Sequence, residues 1–170
     1  MIVLLNGPLG IGKSTLAEAL MEALPQSVAL NGDALLAFNP PPEHDDAILN
    51  QFLRILIERH RQEGRQVFIV DHLWTSPEDI EKLIDHCARP GEPVRTLLLT
   101  LPKSLHRHRI EQRARARALD ELGFELSNYL LERQTLAAYR HGEVGKPIDV
   151  TAPVEQLVSE IRQWLNAEIS

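Results

Sequence analysis

The sequence has a single cysteine, Cys87, among 170 residues. An internal disulfide is excluded, and the chain suits a reducing compartment. It has no excess of positive charge, since 18 Lys and Arg against 24 Asp and Glu leave a net charge of -6. That balance argues against a large duplex-binding face but leaves room for a local basic patch. No apolar run approaches the roughly 20 residues needed to cross a bilayer. The first apolar run begins at Ile2, so no leader is expected, and the expected location is the cytoplasm. Internal repeats, low-complexity stretches and linkers are also lacking. A single domain with a sizeable core is expected, and the 44% hydrophobic content suits an ordinary globule.

What is present is concentrated in the first twenty residues. Met1 to Asn6 is an apolar run, Gly7-Pro-Leu-Gly-Ile-Gly-Lys-Ser14 follows, and Thr15 to Leu24 is amphipathic. Strand, glycine-rich loop and helix in this order are the context that the phosphate-binding pattern G-x-x-x-x-G-K-S requires. The loop Gly7, Pro8, Leu9, Gly10, Ile11, Gly12 is expected to turn its N–H groups on an anion, with Lys13, Ser14 and Thr15 opening the helix. Lys13 is expected to be exposed there and to reach the β- and γ-phosphates, and Ser14 to ligate Mg²⁺. This predicts a bound nucleoside triphosphate. It does not specify the reaction, because the same loop serves switches and motors.

Farther along, the pattern predicts a strand at Ser27–Leu30 closed by an Asn31-Gly32-Asp33 turn, and a helix from Glu43 to Glu63. A strand at Gln66–Val70 is closed by Asp71, and a helix begins at Ser76-Pro77 and runs to Cys87, with the thiol in apolar register. A strand at Val94–Thr100 precedes a long helix from Pro102 to about Leu119. Asp120 to Gly123 reads as a break. A helix from Ser127 to Arg140, with Leu130, Leu131 and Leu136 as its apolar positions, leads to a last strand at Pro147–Val150. Pro153 opens the closing helix. Apolar strands alternating with helices predict an α/β three-layer sandwich with a five-stranded parallel sheet, covered on both faces. Ligands on such sheets bind beyond the carboxyl ends of the strands, which singles out Asp33, Asp71, His72, Trp74, Thr100 and Thr151.

Asp33 is placed to accept a proton from a substrate hydroxyl or to hold Mg²⁺ through water; the alternative is a turn or helix cap. Asp71 ends an apolar strand, as a Mg²⁺-orienting carboxylate does, or else only terminates it. His72 and Trp74 either line an acceptor pocket or pack. The stretch His106 to Arg117 holds five arginines, of which Arg109, Arg113 and Arg117 share one helical face. Such a face could grip a transferred phosphoryl group, bind nucleic acid, or simply be solvated. The histidines of this stretch lack a zinc-binding pattern.

With these motifs the chain resembles small P-loop kinases of the adenylate-kinase-like group, such as shikimate and gluconate kinases and chloramphenicol phosphotransferase. The resemblance implies a sheet ordered 2-3-1-4-5 and a lid at residues 109–126. It implies that Asp33 contacts the acceptor hydroxyl or metal. It also implies that Arg109 stacks on adenine, that Arg113 contacts phosphates, and that the segment from Asp149 to Pro153, Thr151 included, packs beside the base. The glycine-rich motif of shikimate kinases after strand three is replaced here by Asp71-His-Leu-Trp74. The GTPase base-reading N-K-x-D is missing.

The expected activity is therefore an ATP- and Mg²⁺-dependent transfer to a hydroxyl of a small molecule, by a monomer or homodimer and without a membrane or nucleic-acid partner. Lys13, Asp33 and Arg113 are its expected catalytic residues, and Ser14 and Asp71 its metal residues. A nucleotide or polynucleotide 5′-kinase and a non-catalytic ATP-binding module are the alternatives.

Overall fold

The structure, a computed structural model, describes residues 1–40, 45–116 and 122–167. Strand β1 (Ile2–Asn6) is the centre of the molecule, and all its residues are buried. It is buried because it pairs in parallel with β3 (Val67–Asp71) on one side and β4 (Val94–Thr100) on the other. Beyond β3 lies β2 (Ser27–Asn31), and beyond β4 lies β5 (Lys146–Asp149). The described sheet has five strands in the order β2-β3-β1-β4-β5, as the resemblance implies.

Alternation along β1 divides the core. Val3 and Leu5 point to α1 (Lys13–Ala23) and α7 (Val154–Ala167), where Leu16, Leu20, Leu157 and Ile161 are buried. Ile2 and Leu4 point to α3 (Asp45–Gln62) and α4 (Pro77–Cys87), where Leu49, Leu53, Ile57, Ile80 and Leu83 are buried. Each such side chain contributes about 1.5–3 kcal/mol by leaving water. The cap of α4 is as expected: the Ser76 hydroxyl accepts from the Asp79 N–H and Pro77 stands in the first turn. Cys87 completes the α4 stripe as a core thiol, 3% exposed, and burial pushes it up to about 11.

The structure corrects several boundaries. Asn31-Gly32-Asp33 does not merely turn: Asn31 caps a short helix, α2 (Gly32–Leu35), by accepting from the Ala34 N–H. Helix α5 spans Lys103–Ala116. The expected break fails at its distal end, because α6 (Leu122–Ala137) already includes Gly123, before Ser127. Leu131, expected to be an apolar anchor, is 62% exposed. Leu136 is buried as expected, and Glu125 and Tyr129 share the buried face of α6 with it. The start of the helix expected from Glu43, the centre of the expected lid, and Arg117 lie outside the described residues.

Candidate active site

The carboxyl ends of β1, β2 and β3 converge on one cleft. Asn6 ends the otherwise apolar β1 and is fully buried. Its amide donates to the Trp74 and Val144 carbonyls, and its Oδ1 accepts from the Gly7 and Trp74 N–H groups. One side chain thus fixes the phosphate-type loop, the chain after β3 and the approach to β5. Its sequence signal is a polar residue closing an apolar strand.

The loop then bends through glycine conformations. Gly10 has φ +74°, and a Cβ there would come within 2.7 Å of Ile110 Cγ1 on α5. Gly12 stands at the N-cap of α1 in the left-handed region, with φ 111°, and no side chain caps the helix. The first-turn N–H groups therefore face the cleft with the positive end of the helix dipole. Lys13 follows, but it is not exposed: it is 8% exposed, with Nζ donating to the Gly7 carbonyl at 2.8 Å and the Pro8 carbonyl at 3.3 Å. It nevertheless lines the polar cleft beside Ser14 and Asp33. Burial holds its pKa below the ordinary lysine range; Asp33, Glu132 and Asp71 oppose this shift and Arg113 adds to it.

Ser14, Asp71 and Asn31 form a tight cluster. Ser14 Oγ donates to Asp71 Oδ2 at 2.8 Å, and Asn31 Nδ2 lies 2.8 Å from the same oxygen and 3.0 Å from Ser14 Oγ. Parallel pairing produces this cluster, because Asn31 is in register with Asp71. Burial raises the Asp71 pKa, against the Ser14 hydrogen bond, the Lys13 charge and the Asn31 hydrogen bond, while Asp33 adds to the rise. These oxygens are hard donors of the type that suits Mg²⁺. Among the described residues no group of three His, Cys, Asp or Glu could hold a metal by itself.

Asp33, on the first turn of α2, faces the same space, with its side chain 60% exposed and Oδ1 2.9 Å from His72 Nδ1. That hydrogen bond holds the carboxyl below its ordinary pKa. Burial opposes the shift, and the charges of His72, Lys13 and Arg113 reinforce it. Trp74, by contrast, is 2% exposed and packs in the core.

Two joined clefts meet at the loop. The more polar one, about 250 Å³, is lined by Lys13, Ser14, Thr15, Asn31, Asp33 and Arg113. The other, about 350 Å³, is lined by Gly12, Thr15, Arg109, Arg113, Val150 and Ala152. Arg109 and Arg113 thus lie on one face, as their spacing predicts. Arg109 donates to the Ile11 and Val150 carbonyls at 3.0 and 2.6 Å. Arg113 pairs with the buried Glu125 at 3.3 Å. Arg107, on the other side of α5, pairs with Glu111 in solvent. Thr151 is exposed and its N–H donates to Asp149 Oδ1; Val150 and Ala152, rather than Thr151, line the cleft.

Two residues with no motif to announce them also hold the loop. The Leu9 N–H donates to Glu132 Oε2 of α6 at 2.6 Å, and His106 Nε2 of α5 lies 2.8 Å from the Leu9 carbonyl. Arg133 Nη1 lies 3.4 Å from His106 Nδ1. Arginine only donates, so Nδ1 accepts and Nε2 carries the proton given to Leu9. Burial holds the His106 pKa below the ordinary value; the Leu9 carbonyl opposes this, and Arg133, Arg109 and Lys13 strengthen it. Both helices of the expected lid are thereby tied to the loop.

The fold is shared with solved structures, kinases among them. A gluconokinase from Sinorhizobium meliloti is 22% identical at a TM-score of 0.64, with 93% of this chain and 87% of that chain covered. A tunicamycin resistance protein from Deinococcus radiodurans is 19% identical at a TM-score of 0.66, with 96% and 94% covered. A shikimate kinase from Bacteroides thetaiotaomicron is 13% identical at a TM-score of 0.63, with 98% of each chain covered. At such identities the likeness is one of fold. No curated protein sequence matches this one. A family match nevertheless spans the loop, the strand-end carboxylates and both arginine-bearing helices: over residues 2–139 the chain belongs to the AAA domain family.

Proposed function

We propose that this protein is an ATP- and Mg²⁺-dependent phosphotransferase whose acceptor is a hydroxyl of a small molecule. The observation that carries the proposal is the convergence, in one cleft, of an uncapped helix N-terminus, Lys13, the Ser14–Asn31–Asp71 cluster and the half-exposed carboxylate Asp33. A phosphate site alone would suit any P-loop protein. A carboxylate facing that site from a neighbouring strand end adds a group that can take a proton from an attacking hydroxyl. That the similar structures include a gluconokinase and a shikimate kinase supports a small-molecule acceptor.

In this reading the loop N–H groups and Lys13 hold the β- and γ-phosphates and offset charge as it develops there. Ser14, with Asp71 and Asn31 behind it, would hold Mg²⁺, which when bound supplies charge neutralisation on the phosphate oxygens. Arg109 fixes the wall of the larger cleft, where the nucleoside would lie. Arg113 lines both clefts and in this reading meets the transferred group. Asp33 accepts the acceptor's hydroxyl proton as that oxygen bonds to the γ-phosphorus and the bridging oxygen leaves with ADP. Low intrinsic basicity does not bar Asp33 from this role, since its task is to orient the hydroxyl and take the proton late.

The test is an ADP-release screen with MgATP over sugars, nucleosides, aminocyclitols and antibiotics. Acceptor-stimulated release that disappears in Asp33→Asn is the expected result. Tight nucleotide binding with no stimulation by any acceptor would instead identify a binding module.

A further inference from the structure

We propose that His72 is a positioning residue that fixes the Asp33 carboxylate toward the acceptor, and that Gly32 exists in this chain to let the imidazole reach it. The proposal rests on the reading of Asp33 as the acceptor-facing base. Three observations converge on it. First, the Asp33 side chain is 60% exposed, so packing does not select its rotamer. Among the described residues its one hydrogen-bonding partner is His72 Nδ1, at 2.9 Å.

Second, His72 is itself fixed. Its side chain is 13% exposed and its ring meets the Trp74 ring edge-on, at 5.5 Å between centroids. The backbone beneath it is held too, since the His72 N–H donates to the Leu5 carbonyl. A donor held by packing and by its backbone thus restrains an exposed acceptor. Third, Gly32 is pressed against the ring. A Cβ at that position would lie 2.8 Å from His72 Nδ1 and 2.9 Å from its Cβ and Cγ. No ordinary side chain fits without moving the imidazole. The glycine immediately before Asp33 is thereby explained by the partner of Asp33, and both follow from β2 and β3 being neighbours in register.

The chemistry fixes the proton. An ionised carboxylate only accepts, so Nδ1 carries the hydrogen. Misplacing a reacting group by about 1 Å costs up to roughly 100-fold in rate, so a hydrogen bond that removes rotational freedom from Asp33 acts on kcat rather than on nucleotide affinity.

Two measurements test this. Long-range ¹H–¹⁵N NMR of the nucleotide-free protein should show a proton on His72 Nδ1, with a resonance that moves in Asp33→Asn. An unprotonated Nδ1 would overturn the proposal. Phosphate release from MgATP, with water as the acceptor, supplies the kinetic arm. His72→Leu and Gly32→Ala should each slow release by about tenfold or more with the KM for ATP unchanged. His72→Asn, which keeps an amide donor near the Nδ1 position, should recover most of the rate. In an Asp33→Asn background, His72→Leu should add less than about twofold, because the two residues act as one unit. Wild-type release in His72→Leu, or an equal loss in His72→Leu and His72→Asn, would overturn the positioning role while leaving the base in place. Wild-type release in Asp33→Asn would remove the base reading itself, and this proposal with it.

Discussion

Lys13 and Asp33 face the same cleft, and their surroundings predict opposite consequences of replacement. Lys13 is buried against its loop, with its ammonium on two carbonyls. Lys13→Ala leaves those carbonyls to water, removes the charge meant for phosphate, and should weaken MgATP binding about 10- to 100-fold, judged from charge-assisted hydrogen bonds. Equilibrium binding by calorimetry checks this, and unchanged affinity would sink the nucleotide site. Asp33→Asn keeps shape but not charge. It should leave that affinity within about twofold while slowing transfer by roughly 10²–10⁴, the range of general-base help. Wild-type turnover would reduce Asp33 to a residue of the α2 first turn. Of the residues that hold the site, Lys13, Ser14, Asp33 and Asp71 are legible because they occupy motif positions or strand ends. Asn31 is not, since an asparagine before Gly-Asp reads equally well as a turn. It does cap α2, and with its remaining nitrogen it also binds Asp71.

At the scale of elements, α5 and α6 are joined to the loop by polar contacts, with Ile110 against Gly10 as an apolar one. His106 and Glu132 hold Leu9, and Arg113 pairs with Glu125 between the helices. Segments with few apolar anchors open at low cost. Hydrogen exchange over residues 103–116 and 122–137 should slow when a non-hydrolysable ATP analogue is added, because phosphates give these basic residues further partners. Equal protection with and without the analogue would mean that the helices are static. Arg113→Glu adds an independent check, and the structure changes its expected outcome. On the reading of α5 as a simply solvated face, residue 113 is a surface position worth about 0.5 kcal/mol. Glu125, however, is 2% exposed. Setting a second carboxylate against it should lower stability by on the order of 1–2 kcal/mol, with the exposed side of the pair discounted for screening. Adding Glu125→Arg should restore thermal stability but not transfer, since the cation then sits on the other helix.

For the whole molecule, stability should fall with acid in two stages governed by opposite ends of the sheet. His106 is held below its ordinary 6.5, so the unfolded chain binds more protons than the folded one as pH drops. The stability that His106 contributes is full above about pH 6.5 and is lost progressively below it. At the other end, burial alone would raise the Glu92 pKa, but the Arg89 N–H, the Met1 amino group and Arg61 outweigh it and hold the carboxyl below its ordinary 4.5. Its contribution is present above that value and is lost as pH falls through the lower, folded one. Thermal midpoints recorded from pH 8 to 3 should show both stages. His106→Gln, which keeps an N–H donor for Leu9, should remove only the upper stage, and persistence of that stage would place its origin elsewhere.

The sequence by itself determined the class of fold and the place of the phosphate loop. Apolar strands without polar alternation have to be buried on both faces, and the spacing of Gly7, Gly12, Lys13 and Ser14 is local chemistry that a single chain segment specifies. It also placed Asp33 and Asp71 at strand ends. What only the tertiary structure decided is which of these residues meet. Strand order brings residues 31 and 71 into register and residues 33 and 72 into hydrogen-bonding contact, and no local periodicity encodes strand order. The clamp on Leu9 by His106 and Glu132 was hidden for the same reason. Those side chains lie about a hundred residues or more along the chain from Leu9. Read locally, they are one more histidine and one more glutamate on polar helices. Folding gives them their role by bringing within their reach a half-buried peptide group whose N–H and carbonyl they pair.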